Sequence, residues 1–483
     1  MRIADRTLSR VSHRTPLAGC LAAAFALAAP TAMATNHVVG NCNDSGPGSL
    51  RATVTAPTTV DNDTVDLSQL GSCTITLLTG QIAVGVANLT LTAGNGAVNA
   101  VTIDGGFSTG HHNRVFTHTG IGTLKLEGLT ITDAKYNSGP AFYGGCIYSK
   151  GNIRLVGSTV SHCTVTGGGS GKYVVAGGGV AALGNVYLLA STVTANTAQA
   201  TNATPTQGGG IAAVGNVSSL GSTVTRNIAQ AASGQASGGG INGNGNVTAI
   251  YSIIANNSVA SGSGPALAGG ISTNSGLNIS YSTISGNQAD FSGGIESGSF
   301  GSSTAVISNS TVSGNRSSAG NGGGRIFVPL TLSNSTVAFN TTNCSACVGG
   351  LRVYDIAQLQ SSIIANNTAA GVASDFRANV TATGANNLIF NSASLVPRDT
   401  LVGVCPKLQP PDDNGGSILT DALLHTSPAI DMGNNAKALT YDERGQFPYS
   451  RVFGARADIG AYEWQGGPDN RIFHSGFESG CDE

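Results

Sequence analysis

The chain has 483 residues, of which 69 are glycine and only 10% are charged, against roughly 25% charged in ordinary soluble proteins. A formal net charge of −2 excludes the strongly basic surface that nucleic acid or an anionic membrane would need. The length suits two or three ordinary domains or one long repeat array, and regularly placed Val, Ile and Leu argue against disorder.

Residues 1–34 read as a signal peptide. Arg2, Arg6, Arg10 and Arg14 precede the apolar run LAGCLAAAFALAAP, which ends in the small-residue site TAMA, a charged n-region, h-region and cleavage site in the expected order. The run is shorter than the ~20 residues a membrane span needs, and no later stretch looks able to span a membrane. A lipoprotein reading through Cys20 is weaker, because apolar sequence continues past it.

Residues 35–138 read as an N-terminal cap with the first irregular coils. GPGSLRATVTA predicts a turn and a short amphipathic helix; alternating strands follow in CTITLLTGQIAV, NLTLTAG and TLKLEGLTITDA. Residues 139–395 carry the regular repeat, anchored on Ser158, Ser191, Ser222, Ser252, Ser282, Ser310, Ser335 and Ser362, spaced 25 to 33 residues apart. Two residues after each serine stands Val or Ile. Five after it stands Asn196, Asn227, Asn257, Asn287, Asn315, Asn340 or Asn367, with Cys163 in the first copy. A glycine pair or triplet then opens most of the next units.

A period of this length means a solenoid, propeller or array. Gly, Thr, Ser, Val and Asn disfavour helical repeats, and 5% aromatic residues are few for propeller blades. The expected fold is all-β: a single right-handed parallel β-helix, with two or three short strands per coil, an N-terminal cap and an irregular C-terminal cap. Stacked Val and Ile fill its interior. Stacked Asn forms a structural ladder at a turn, where Asn tolerates a left-handed backbone.

The repeat ends near Pro397. Residues 396–464 read as the irregular cap, with nine carboxylates between Asp399 and Glu463 out of 25 in the chain; residues 465–483 read as linker and tail. Once Cys20 leaves with the signal peptide, eight cysteines remain, an even number that favours disulfides in an exported chain. Neighbour pairing is simplest where contacts are local: Cys42–Cys73, Cys146–Cys163, Cys344–Cys347 and Cys405–Cys481. Sequence alone does not fix the connectivity.

These coils resemble the pectate-lyase-like right-handed parallel β-helix superfamily, and the GGGI and STVxxN rhythm is similar to the repeats of chlamydial polymorphic outer-membrane proteins. NDSGPGSLR at 43–51 resembles the opening of bacterial surface proteins of that type. DNGGSILTDALLHTSPAIDMGN, with DERGQ and ADIGAYE, resembles the choice-of-anchor Q domain over about residues 408 to 463, and RIFHSGFE resembles short C-terminal tags on secreted proteins of some Gram-negative bacteria. The resemblance implies an exported, surface-associated protein. It implies no catalytic residue, because this fold hosts lyases, hydrolases, adhesins and passive stalks.

Between Gly139 and Leu395 the only acidic residues are Asp290, Glu296, Asp355 and Asp375, too dispersed for the carboxylate cluster of a calcium-dependent lyase. The best charged constellation is Glu296, Arg325, Arg352 and Asp355, each after the glycine turn of its coil and so expected on one strip of wall. Two readings follow. One is a non-catalytic, monomeric protein that presents loops for adhesion to a glycan or matrix component. The other is a uronate lyase with Arg325 or Arg352 as base; the bland alternative for the strip is a set of weak surface ion pairs. Cys344 and Cys347 read as a loop disulfide, since zinc would need a second pair. The lone histidines, including His111 and His112, read as solvated loop residues. No cofactor is called for; calcium in the acidic C-terminal region lacks EF-hand spacing, and salt bridges among Asp442, Glu443, Arg444, Arg451 and Arg456 explain those charges more simply.

Overall fold

The computed structural model describes residues 34–94, 100–137, 142–168, 174–298 and 303–466. Residues 1–33 of the expected signal peptide and 467–483 of the expected tail lie outside them. The described chain is a parallel β-solenoid of about 12 turns with almost no helix.

One coil shows the plan. Its strands are Ile211–Ala213, Val217–Leu220, Thr223–Thr225, Ile228–Ala231 and the two-residue Ala236–Ser237. The first four pair in parallel with their equivalents in the next coil, and Ala236–Ser237 pairs with Thr206–Gln207 of the coil before. The described strands stack into a first wall of 11, second and third walls of 13, a fourth of 10 and a short side wall of 4. A full coil therefore has four or five short strands rather than two or three, because two- and three-residue strands separated by sharp turns leave little periodicity to read.

Side chains alternate across each strand, so Ile211, Val217 and Val224 point inward with 0% exposure. Their equivalents from Val65 to Ile389 form one continuous core. At the N-terminal end Leu50 and Val54 of the helix Leu50–Val54 pack into that core. Ser49 caps the helix by accepting the Ala52 N–H at 3.2 Å.

Two buried polar rows run up the turns. Asn227 Nδ2 donates to Asn257 Oδ1 at 3.0 Å and to the Val193 carbonyl at 2.9 Å, and the same contacts recur from Asn196 to Asn340. A serine row lies one turn earlier: each Ser N–H donates to the Oγ of the next, as Ser191 does to Ser222 at 3.0 Å. The asparagines themselves are not left-handed. The bend is absorbed one residue earlier, at Ala195, Arg226, Asn256 and Phe339 (φ 55°, 55°, 55° and 56°), because each ladder residue needs its own N–H aligned with the neighbouring coil.

Residues 403–466 do not extend the solenoid. Leu401–Val402 adds a last short strand, and the chain then runs along the outer face of the third wall. Thr283 Oγ1 donates to the Leu419 carbonyl at 2.6 Å, Ala461 N–H to Thr336 Oγ1 at 3.0 Å, and Gly460 N–H to the Ser361 carbonyl at 2.9 Å. Outward threonines that are half-buried in earlier coils (Thr192, Thr223) are therefore sealed at Thr283, Thr311 and Thr336. A second apolar cluster, including Ile363, Leu388, Leu423 and Ile459, closes the seam.

Disulfides join Cys42 to Cys73, Cys146 to Cys163 and Cys344 to Cys347. Cys405 is also disulfide-bonded; Cys481 lies outside the described residues.

Candidate functional site

The outward column of the first wall is held in strict register. Tyr148, Ala181, Ala212 and Asn242 succeed one another coil by coil. Ser272, Glu296, Arg325, Arg352 and Arg377 continue the same line. At ~4.8 Å per coil the column is roughly 40 Å long.

Ala181, Ala212 and Asn242 face away from the core, yet they are only 3–7% exposed. The side wall shields them. Its strands Val175–Ala176, Thr206–Gln207 and Ala236–Ser237 stand on a small apolar cluster built with Ala198, Ala229 and Ala231 of the fourth wall. Asn242 Nδ2 ties floor to side wall through Ser237 Oγ at 2.9 Å. The result is a groove over the N-terminal half of the column, lined by Tyr143, Tyr148, Ala176, Gln207, Ala212 and Asn244. Tyr143 and Tyr148 stack at 5.8 Å. Buried Arg114 braces this end, donating from Nε to the Tyr143 and Gly144 carbonyls at 2.7 and 2.9 Å.

The C-terminal half is charged and aromatic. Arg325 pairs with Glu296 at 2.6 Å and donates from Nε to Ser292 Oγ at 3.1 Å; Ser292 Oγ donates in turn to Glu296 at 2.9 Å. Arg325 lies 5.0 Å from the Phe291 ring, and Arg352 lies 4.7 Å from the Tyr354 ring. Phe327 stacks on Tyr354 at 4.6 Å. Arg352 Nη2 donates to Asn379 Oδ1 at 2.6 Å, while its Nη1 has no partner among the described residues.

Of the four residues singled out in sequence, Glu296, Arg325 and Arg352 therefore share one strip. Asp355 does not. The first-wall strand Leu351–Val353 has already ended, and the Asp355 carboxylate accepts the Ile356 N–H at 2.7 Å within its own turn. Arg377 takes the next place instead. No glycine pair precedes it, because Asp375 occupies the position aligned with Gly350, so the repeat pattern conceals its register.

His118 also departs from the solvated reading. It ends the strand Phe116–His118 and is fully buried. Nε2 lies 3.0 Å from the Val86 carbonyl and Nδ1 2.7 Å from Ser149 Oγ, so Nε2 donates and Nδ1 accepts. Burial holds its pKa below the usual histidine range and keeps the ring neutral.

The local charge favours anion binding over proton abstraction. Arg325, Arg352 and Arg377 are successive, and among the described residues only Glu296 forms an ion pair with them. The Glu296 carboxylate and Ser292 Oγ already accept from the Arg325 guanidinium.

Fold and surface together define a parallel β-helix protein with a groove over the Tyr143–Asn244 coils and an arginine-rich stretch of the first wall beyond it. No protein-family model matches the chain, and no curated protein matches it.

Proposed function

We propose that this is a non-catalytic, exported β-helix protein of the cell surface or secretome that binds an extended anionic glycan or matrix polymer along the outward column of the first wall. The observation that carries the reading is the alignment of Arg325, Arg352 and Arg377 on successive coils, beside the rings of Phe291, Phe327 and Tyr354. Guanidinium groups suit carboxylate or sulfate, and flat rings suit the apolar faces of sugars. The signal-like N-terminus and the disulfides support export. The pectate-lyase-like and choice-of-anchor Q resemblances fit the same setting. No helix among the described residues is long and apolar enough to cross a membrane, and the protein is proposed to act as a monomer.

A uronate lyase using Arg352 is the second reading, since that residue has no carboxylate partner among the described residues. Titration of the protein with neutral, uronate-containing and sulfated polysaccharides separates the two. Binding to the anionic chains alone, weakened at least tenfold in Arg352→Ala and Arg377→Ala, with no rise in absorbance from unsaturated product, supports the binding role. Product formation abolished by Arg352→Ala would establish the lyase. Equal binding to neutral chains would remove the arginine strip from either account.

A further inference from the structure

The buried acids of the C-terminal segment are unequally paired. Asp442 accepts Arg444 through both carboxylate oxygens. Asp458 and Glu463 flank Arg451 and accept the Trp464 and Phe453 N–H groups at 2.7 and 2.8 Å. Asp421 and Glu443 pair with no cation among the described residues, although they are only 1% and 0% exposed.

Both residues reach the same third-wall strand, Thr311–Ser313. Glu443 Oε2 accepts from Thr311 Oγ1. Asp421 lies beside Ser313, though no hydrogen bond of ordinary geometry joins them. Thr311 and Ser313 are two apart on a strand and so project from one face. Four buried oxygens on this patch therefore lack a hydrogen-bond partner among the described residues: both of Asp421, Oε1 of Glu443 and Oγ of the fully buried Ser313. A sealed carboxylate without a donor or counter-charge is among the costliest arrangements a fold can hold.

We propose that Asp421, Glu443 and Ser313 hold one calcium ion between the C-terminal segment and the third wall. Two carboxylates match a divalent charge, and an all-oxygen set selects a hard cation. No group of three or more Asp, Glu, His or Cys converges among the described residues, so hydroxyl and carbonyl oxygens complete the shell. Calcium accepts that mixture and irregular geometry, whereas magnesium demands a near-ideal octahedron and keeps several waters. The site would pin the segment to the coils it covers, independently of what the first wall binds.

The test uses the full chain, refolded in chelator and dialysed against calcium, magnesium or neither, and read by native mass spectrometry and thermal melting. The expected result is one calcium per chain and a melting temperature that rises with each tenfold increase in free calcium. Both effects disappear in Asp421→Asn and Glu443→Gln and persist in Arg352→Ala. No bound calcium in the wild type would overturn the proposal and leave the pair to protons. Equal stabilisation by magnesium would overturn the choice of ion. If neither carboxyl variant folds, the wild-type stoichiometry alone decides.

Discussion

Asn367 donates both its backbone N–H and its side-chain amide to a single oxygen of Asp375, at 2.9 and 2.8 Å. The other Asp375 oxygen accepts the Asn391 N–H at 2.8 Å. The asparagine row thus ends on a group that only receives.

Burial pushes the Asp375 carboxyl up to about 6, against ~3.9 in an unfolded chain. A carboxyl that holds its proton more tightly when folded supports the fold below pH ~4, and that support is lost as pH rises through ~6. Asp458, raised by burial to about 6, and Glu463, raised to about 8, act in the same direction. In chelator, with no free calcium to compete for the buried carboxylates, the melting temperature should therefore be lower near pH 8 than near pH 5. Asp375→Asn should flatten the part of the curve between ~4 and ~6, and melts across that range check it. An unchanged slope would clear Asp375 of the effect.

Asn257→Ala should destabilise by roughly 1–3 kcal/mol, the cost of leaving buried partners unmet. The Asn227 N–H and the Asn287 Oδ1 each lose a contact of 3.0 Å. Denaturant titration of the variant reads this directly, and a change below ~0.5 kcal/mol would mean that the row contributes little to stability.

Two glycines in one coil should behave oppositely. A Cβ on Gly209 would stand 2.4 Å from the Gly239 carbonyl oxygen, whereas one on Gly221 (φ +56°) meets nothing within 4 Å. Ala190 already occupies the equivalent of Gly221 at φ 47°. Gly221→Ala should cost about 1 kcal/mol, and Gly209→Ala should cost several times more or prevent folding. Comparable melting temperatures for the two variants would contradict this packing.

Cys163 stands where later coils carry Asn, and its N–H donates to Asn196 Oδ1 at 3.0 Å. Its bond to Cys146 closes a loop with a sequence separation of 17. Reduction, or the double change Cys146→Ala and Cys163→Ser, should remove about 3 kcal/mol. The loss should be smaller for Cys344–Cys347, with its separation of 3. Denaturation of each variant with and without reductant compares them.

Val224 in the core and Asn227 on the ladder were legible because each recurs at a fixed offset from a serine, and such columns record stacking. Left-handed residues were not, because Ala, Arg, Asn, Phe, Gly and His share that position, where backbone geometry matters more than side-chain identity. Glu296, Arg325 and Arg352 each follow a glycine turn that marks their register in the sequence, and Arg377 lies where that turn is missing. The lateral course of residues 403–466 left no periodic trace: Thr283 and Thr311 look like Thr192 and Thr223 in sequence, and only long-range contacts distinguish their burial.

Those long-range contacts also set an order in time. Asn315 and Asn340 meet across 25 residues, whereas Thr283 meets Leu419 across 136 and Asn309 meets Tyr441 across 132. Closing a longer loop costs more entropy, so neighbouring coils assemble before the C-terminal segment reaches them. The same segment is the part able to detach without unwinding a coil. The fold accordingly joins two ranges of contact, short loops that wind the solenoid and one long return that fastens its flank.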